Sequence, residues 1–451
     1  MWHLDEATSL NSICWTRSEE GRPLLCAAGS SPRAILIFDL ESDQPVRSLA
    51  GHGRAINDLQ ISPLSPNILA SASEDYTIRL WNLDEEHVKQ PCRAILGGQG
   101  HKQPLLALDF HPNGRWLLSG AMDTAIALWA VPPLSELDQQ VTKDMEPRAL
   151  PYPCFLSQEI HSNYVDCVKW YGDSILSRAA RSPADGNDKK MVENEILLWK
   201  IDGFDSAVPH PSQPPIAYPG MFTRSAFPHP PHSRGFDRLL TFDAKYTARF
   251  YLRFGLLHRP GMRPILVMGN EASRFYFWDL QKCEEGEEIA KGRSKGGRKK
   301  AAKTAGLSVE SLDRLGGLKN RDVSVGSDAA SGMLALLPLS HPFSLPSPAN
   351  QKPAQPTAFN TAATNNSSTS ASASAAHDPS PSIGPGGAPN LRSATDDPMR
   401  PLLPQYQVAP ATTLPNKDTH YASPQVSWSP DGKWLVAVGD QGMMVVFRRK
   451  G

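Results

Sequence analysis

The chain has 451 residues, of which 20% are charged, and its formal net charge is +0. This length allows two or three ordinary domains, but a single repeat architecture with insertions fits it equally well. The neutral charge argues against strong direct binding of nucleic acid. No apolar run approaches the ~18 residues that a membrane helix needs, so we expect no membrane partner.

Cysteine usage argues against a metal site. The six cysteines form neither a CxxC pair nor a Cys/His cluster at zinc spacing, and most of them lie in strand-like runs. They are Cys14, Cys26, Cys92, Cys154, Cys167 and Cys283. The first residues, MWHLDEATS, are acidic and poor in apolar side chains, unlike a signal peptide. We therefore expect free thiols in a reducing, intracellular compartment, and neither a metal nor a cofactor.

Residues 7–50 predict the first of several units made of short strands. The runs NSICW, LLCAAGS, AILIFDL and VRSLAG are rich in β-branched and alternating apolar residues. The third run ends in FDL, where the later units of the chain carry a tryptophan. We therefore predict four strands in this unit.

The next two units, residues 51–99 and 100–159, repeat each other. Each opens with Gly-His and later carries an Asp and then a Trp. Between them lie the strand-like runs AINDLQI and ILASAS in the first unit, and LLALDF and WLLSGAM in the second. A self-similar unit of nearly 50 residues, with GH early and Asp…Trp late, is the signature of a WD-type propeller blade. These units predict an all-β fold, a WD40 β-propeller.

A polar network explains why these residues recur. A buried His can bridge a Ser on the second strand to the Asp of the following turn, while the Trp caps the network. We therefore interpret this set as structural and predict no catalytic residue in it. Its members are His52, Ser71, Asp75, Trp81, His101, Ser119, Asp123 and Trp129.

Three further blades follow from the same strand pattern. The fourth covers residues 160–200 and continues past the loops PHPSQPPIAYPG and FPHPPHSRG to RLLTFDA. Prolines interrupt the histidines of these loops, so we interpret them as loop residues and not as metal ligands. The fifth blade covers residues 247–280 and the sixth covers residues 421–449. The prediction is thus one propeller over 7–280, completed by a last blade at 421–449.

Residues 281–420 predict a disordered low-complexity insert. The segment begins acidic, continues with the basic run KGRSKGGRKKAAK at 291–303, and becomes rich in Pro, Ala, Ser, Asn and Thr. Such a composition buries too little apolar surface to offset the entropy of ordering. The basic run is either a nuclear-localisation or nucleic-acid patch or a solvated linker, and the sequence leaves both open.

Several strings resemble one WD-repeat family, the extra sex combs / EED subunits of Polycomb repressive complex 2. They are GHGRAIND, LGGQGHKQPLLALDF, GAMDTAIALW, IHSNYVDCVKWYGDSILS and LVMGNEASRFYFWDL. The resemblance covers about residues 7–200, 240–280 and 421–449. It implies a nuclear, non-catalytic, seven-bladed propeller that scaffolds a SET-domain histone methyltransferase and other Polycomb subunits, reads trimethyl-lysine on the histone H3 tail, and supports repressive chromatin.

The resemblance also implies an aromatic cage. A trimethylammonium group donates no hydrogen bond and is held by ring faces, at about 2 kcal/mol for each desolvated cation–π contact. The two neighbouring cage aromatics of the family correspond to Phe250 and Tyr251 in the string ARFYLRF. The alternative is that Phe250, Leu252 and Phe254 alternate on one face of a strand and belong to the core.

Two departures from the family concern this cage. The family's tyrosine in the blade beginning NSICW aligns with Asn11, beside Leu10, and neither has a ring. A further cage phenylalanine belongs to an upstream blade without a counterpart here, although Trp2 could supply a ring. We therefore expect about six blades, in a divergent or N-terminally truncated sequence, with an exposed apolar edge near Met443–Phe447 and along the first blade.

Two other classes of function remain to be weighed. A generic WD40 adaptor, such as a ubiquitin-ligase substrate receptor without methyl-lysine reading, needs only the blades. An enzyme is disfavoured, because the sequence has no nucleophile–base–orienter set, no metal cluster and no phosphate-binding glycine loop.

Overall fold

The computed structural model describes residues 8–133, 135–136, 146–180, 194–230, 232–284, 401–408, 420–440 and 443–449. Nearly all of its regular elements are strands, and these form six separate sheets. The predicted all-β propeller with six blades is therefore confirmed. Within the described ranges, no helix is both long and apolar enough to cross a membrane.

Each blade is a sheet whose first three strands follow one another in the chain. The first blade contains β1 (Ser9–Arg17), β2 (Pro23–Ser31), β3 (Ala34–Asp39) and β4 (Gln44–Ala50). The second contains β5 (Ile56–Ile61), β6 (Ile68–Ser73), β7 (Ile78–Asn82) and β8 (Cys92–Leu96), joined in parallel by β12 (Arg148–Leu150). A 3-10 helix (Glu85–His87) separates β7 from β8.

The third blade is the widest. It contains β9 (Leu105–Phe110), β10 (Trp116–Ala121), β11 (Ile126–Ala130), β13 (Phe155–Ser157), β18 (Thr223–Ser225) and β17 (Ile216–Ala217). The fourth contains β14 (Tyr164–Tyr171), β15 (Ser174–Ala180), β16 (Glu195–Ile201) and β19 (Phe236–Asp243). The hairpin of β17 and β18 belongs to the proline-rich region that was expected to be loop.

The fifth blade contains β20 (Gly255–Leu257), β21 (Ile265–Gly269), β22 (Phe275–Asp279) and β23 (Tyr406–Val408), with helix α1 (Leu280–Glu284) after β22. The sixth contains β24 (Gln425–Trp428), β25 (Trp434–Val438) and β26 (Met444–Arg448).

The structure differs from the prediction at both ends of the insert. Helix α1 extends to residue 284, and β23 pairs with β22 although it lies inside the range 281–420. The outer edge of β22 needs a partner for its backbone groups, and this requirement recruits a short segment from a proline-rich context. The remainder of the insert, including the basic run 291–303, lies outside the described residues, and so does Trp2.

Five apolar clusters join the six blades pairwise, each formed by facing sides of neighbouring sheets. Alternation along each strand sends every second side chain into one of these clusters. None of the clusters formed by the described residues joins the sixth blade to the first. Trp15 is accordingly 64% exposed on β1 and Met444 is 65% exposed on β26. The exposed edge is confirmed there, whereas Phe447 is buried against the fifth blade.

The connections fall on two faces because the strands of a blade alternate in direction. The upper face is formed by the connections that lead from the fourth strand of a blade to the next blade, and by those that join the second strand to the third. These connections include residues 51–55, 74–77, 158–163 and 244–254. The lower face is formed by the connections that follow the first and the third strand of a blade. These include residues 62–67, 172–173, 258–264 and 280–284.

Candidate functional site

The two predicted cage aromatics lie in a turn on the upper face and not in a strand. Phe250 and Tyr251 form a turn, and β20 begins only at Gly255. Tyr251 has a φ of 61°, in the left-handed region that aromatic residues rarely adopt. Leu252 and Phe254 are buried in the core, whereas Phe250 is half-buried. Phe250 leaves the core because the turn breaks the alternation on which the core alternative depended.

Three aromatic rings converge at this turn. The ring centroids of Phe250 and Tyr251 are 4.2 Å apart, with an interplanar angle of 57°. Tyr164, the first residue of β14, approaches Phe250 edge to face at 6.4 Å. Tyr164 lies in the string IHSNYVDCVKW that resembles the family, but no role was predicted for it. The available signal was an aromatic residue at the start of an inner strand, next to an upper-face connection.

A largely buried cation, Arg253, already contacts one of these rings. The Arg253 guanidinium carbon lies 5.5 Å from the ring centroid of Tyr251. Arg253 also donates to Asp58 Oδ1 at 2.8 Å and to the carbonyl of Leu106 at 2.7 Å, which links the fifth blade to the second and third. Burial raises the pKa of Tyr251, so its phenol is neutral at physiological pH. The ring therefore offers its π system to a cation without adding a negative charge.

The position expected for another cage ring has a structural use here. The amide of Asn11 donates to the carbonyl of Ile56 at 3.1 Å and to Asn57 Oδ1 at 3.2 Å. Asn11 thus ties β1 to β5, while the neighbouring Leu10 is 36% exposed. The described part of the chain therefore brings together three rings, one of them unforeseen.

The structure joins the eight predicted network residues into two hydrogen-bonded sets. In the first, His52 lies 2.8 Å from Asp75 Oδ2 through Nδ1 and 2.7 Å from Ser71 Oγ through Nε2. The indole of Trp81 donates to the same hydroxyl at 2.8 Å. The second set repeats these contacts at 3.1, 2.8 and 2.9 Å, and its members are His101, Asp123, Ser119 and Trp129.

Burial and hydrogen bonding shift the pKa values of His52 and Asp75 in the first set. Burial lowers the pKa of His52, although the Asp75 carboxylate acts in the opposite direction. Burial raises the pKa of Asp75, but hydrogen bonds from His52, Thr77 and the Gly53 amide outweigh it and hold that pKa well below its usual range. A neutral imidazole between an ionised carboxylate and a hydroxyl satisfies every polar group, and the buried set offers no free base.

The structure contains a third network of this type, which was not predicted from the sequence. His161 Nε2 lies 2.7 Å from Ser177 Oγ, and the Trp199 indole donates to that hydroxyl at 2.9 Å. The fourth blade opens with IHS and not with GH, which hid the pattern. Over the residues that the structure describes, no group of three or more His, Cys, Asp or Glu side chains is placed to hold a metal ion.

The lower face carries a groove of about 500 Å³ between the fourth and fifth blades. Its floor and walls are lined by Tyr171, Gly172, Ser174, Leu198, Leu239, Leu240, His258, Cys283 and Glu284. The Tyr171 hydroxyl donates to Glu284 Oε1 at 2.6 Å, and its ring packs 4.7 Å from that of His258. Burial raises the pKa of the Cys283 thiol to about 12, so this thiol is not a nucleophile at physiological pH.

Comparison with known proteins gives consistent matches. Residues 43–82 and 91–130 match the family model described as WD domain, G-beta repeat. The chain is 40% identical over 291 residues to Polycomb protein EED of Chaetomium thermophilum, which covers 62% of this chain and 48% of that protein. It is 32% identical over 269 residues to Polycomb protein esc of Drosophila melanogaster, covering 57% and 54%. The chain thus spans about half the length of these relatives.

Solved structures match over most of the chain. One is the Chaetomium thermophilum Polycomb Repressive Complex 2, as a humanized mutant bound to the inhibitor GSK126, with 30% identity and a TM-score of 0.66. Another is the same complex with H3K27me3 and H3K27M, also at 30% identity and a TM-score of 0.66. In both cases the match covers 99% of this chain and 83% of the matched chain.

Proposed function

The chain belongs to the extra sex combs / EED family of WD-repeat proteins, and from this premise we propose that it is a non-catalytic scaffold and trimethyl-lysine reader in a Polycomb-type histone methyltransferase complex. The observation that carries the reader role is the convergence of Tyr164, Phe250 and Tyr251 on the upper face. We propose the histone H3 tail as the ligand and the nucleus as the location.

The chemistry of the three rings suits a methylated ammonium group. A trimethylammonium cation has no N–H to donate, so it gains most from ring faces that exclude water. Phe250 and Tyr251 come from one turn and Tyr164 from a different blade, so the rings approach from different directions. An ordinary lysine would lose hydration at such a site without gaining a hydrogen-bond partner, which favours the trimethylated form.

Calorimetric titration with unmodified and trimethylated H3 tail peptides tests the reader role. We expect preferential binding of the trimethylated peptide, and we expect Phe250→Ala to weaken it by a factor of about 10–30, since about 2 kcal/mol of cation–π energy is removed. Phe222→Ala is the matched control, because Phe222 is 73% exposed on the hairpin of the third blade. Equal binding of the two peptides by the unaltered chain would refute the reader role.

The scaffold role concerns the lower face. We propose that a segment of the SET-domain methyltransferase binds in the groove against Leu198, Leu239 and Leu240, with other Polycomb subunits joining the same complex. Apolar side chains in a concave surface favour an apolar partner segment. Because the groove and the cage lie on opposite faces, both ligands can bind the same molecule at once.

Co-purification tests this interface. We expect Leu239→Glu, which places a charge in the groove, to abolish capture of the methyltransferase without altering binding of the trimethylated peptide. Val208→Glu is the control, since Val208 is exposed outside the groove. Undiminished capture by Leu239→Glu would exclude the groove as the docking site.

A generic adaptor without methyl-lysine reading is the second candidate, and the observation that favours it is Asn11 at the position of a family tyrosine. Two measurements distinguish the candidates, namely H3 peptide binding and co-purification. An adaptor would bind neither H3 peptide and would co-purify with proteins other than a methyltransferase.

A further inference from the structure

A buried ion pair lies directly beneath the turn that carries the cage aromatics. Asp166 on β14 and Arg178 on β15 are 0% and 1% exposed at their side chains. One guanidinium nitrogen of Arg178, Nη1, donates to both carboxylate oxygens of Asp166, at 2.7 and 2.6 Å. The pair therefore has a fixed geometry.

Two further groups of this pair, Arg178 Nη2 and Asp166 Oδ2, are directed at residues 247–251, which we call the cage turn. Nη2 of Arg178 donates to the carbonyls of Thr247 and Arg249, the latter at 2.8 Å. Asp166 Oδ2 accepts the backbone N–H of Tyr251 at 2.8 Å. The pair thus holds the turn on both sides of Phe250.

The turn needs this support because its backbone is strained. Tyr251 has a φ of 61°, and a bulky residue keeps such a conformation only where its surroundings over-determine it. A buried ion pair is also an inefficient way to stabilise a core, since apolar residues of similar volume usually serve as well. What apolar residues could not supply is directed hydrogen bonds to three backbone groups of one turn.

The neighbouring blades provide a comparison. Asp109 on β9 accepts the backbone N–H of Trp170 at 2.9 Å and pairs with Lys169 at 2.6 Å. That acceptor joins two inner strands and does not contact the cage turn. Asp166 also accepts a backbone N–H from the next blade, but in its case the donor is Tyr251 of the cage turn.

We propose that Arg178 and Asp166 are positioning residues for the methyl-lysine cage, which hold Phe250 and Tyr251 in the binding arrangement through the backbone of residues 247–251. This proposal rests on the reader function proposed above.

The test compares Arg178→Met with Lys169→Met, which removes the cation from the ion pair that joins Lys169 on the fourth blade to Asp109 on the third. Two quantities are measured on each folded variant: the ratio of affinities for trimethylated and unmodified H3 peptides, and the rate of tryptic cleavage after Arg249, which is exposed in the turn. We expect Arg178→Met to lower the ratio at least tenfold and to accelerate that cleavage. We expect Lys169→Met to alter neither quantity, even if its melting temperature falls equally.

Arg178→Lys keeps a positive charge beside Asp166 but lacks the second nitrogen that reaches the turn, so we expect it to lower the affinity ratio by less than Arg178→Met does. It also serves as the test variant should Arg178→Met fail to fold, with intermediate effects in both measurements. Unchanged ratio and cleavage in the Arg178 variants would overturn the proposal while leaving the reader function intact. Failure of the unaltered chain to distinguish the peptides would instead overturn the reader function, and the positioning role with it.

Discussion

At the residue scale, one hydroxyl organises each structural network. Ser71 Oγ accepts the indole N–H of Trp81 and lies within hydrogen-bonding distance of His52 Nε2. With a neutral imidazole, the hydroxyl proton goes to Nε2 and the Nδ1 proton goes to Asp75. One chain of hydrogen bonds thus joins the second and third strands of the blade to its upper-face connections.

Removing this hydroxyl should destabilise the protein. Ser71→Ala leaves the Trp81 indole and His52 Nε2 buried without partners, at a cost of about 1–3 kcal/mol for each group. Chemical denaturation measures the change in the free energy of unfolding. Ser48→Ala, at an exposed position on β4, is the control and should change it by less than about 0.5 kcal/mol. Equal effects of the two substitutions would show that the network contributes nothing.

The lowered pKa of His52 predicts a pH dependence of stability. The folded state binds this proton more weakly than the unfolded state, whose imidazole titrates near 6.5. Stability should therefore fall as the pH drops through 6.5, since the unfolded state then binds more protons. The charged groups that act on His52 are Asp75 and Arg79. Thermal unfolding between pH 7.5 and 5.5 should show a shallower pH dependence for His52→Gln, and parallel profiles would contradict the prediction.

The sequence predicted the hydrogen-bonded networks within one repeat, but it did not predict the contact between aromatic rings of different blades. The spacing of His52, Ser71 and Asp75 reveals a network because all its members lie in one repeat. The contact of Tyr164 with Phe250 joins two blades and depends on a turn whose left-handed residue, Tyr251, has no signature in the sequence. For the same reason the alternation of apolar residues in this string suggested a strand that the structure replaces by a turn.

At the scale of elements, the last strand of the sixth blade has one buried face and one exposed apolar face, because its side chains alternate. On β26, Phe447 faces the fifth blade, while Met444 and Val446 are 65% and 49% exposed. The strand itself was predictable from its composition. The short strand β23 was not, because the free edge of β22 decides its pairing and its own three residues do not.

These exposed side chains should promote self-association. Substitution of both Met444 and Val446 by lysine should lower the aggregated fraction in light scattering and leave the melting temperature nearly unchanged, because a charged edge resists pairing. Val445→Lys is the contrasting variant, since Val445 packs against the cluster between the fifth and sixth blades and its replacement should lower the melting temperature. Unaltered aggregation of the double variant would exclude this edge as the source.

At the scale of the whole molecule, aspartates on the inner strands connect successive blades. Asp58, Asp109 and Asp166 each accept a backbone N–H from the following blade, at 2.8, 2.9 and 2.8 Å. Arg253 adds an ion pair between blades that are not neighbours in the chain, since it reaches from the fifth blade to Asp58 on the second. Blades two to five are thereby joined by polar contacts as well as by apolar clusters.

Loss of the Arg253–Asp58 ion pair should lower the free energy of unfolding of the propeller. Arg253→Met leaves the buried carboxylate of Asp58 without its cation, which costs about 3–5 kcal/mol. Arg263→Met, which breaks the more exposed pair with Asp279, should cost less than about 1 kcal/mol. Denaturation curves of the two variants measure the change in the free energy of unfolding. Similar small losses would mean that the link across the blades is not used for stability.

The fifth blade has a further consequence, which concerns the time that its synthesis takes. The backbone N–H of Asp279 donates to the side chain of Gln405, and 126 residues separate the two. At about 5–20 residues per second, the outer edge of β22 therefore waits roughly 6–25 s on the ribosome for its partner. An open strand edge is a template for wrong pairing during that interval. The length of the insert thus sets how long this strand edge stays unpaired during synthesis, and a relative with a shorter insert would complete its blade sooner.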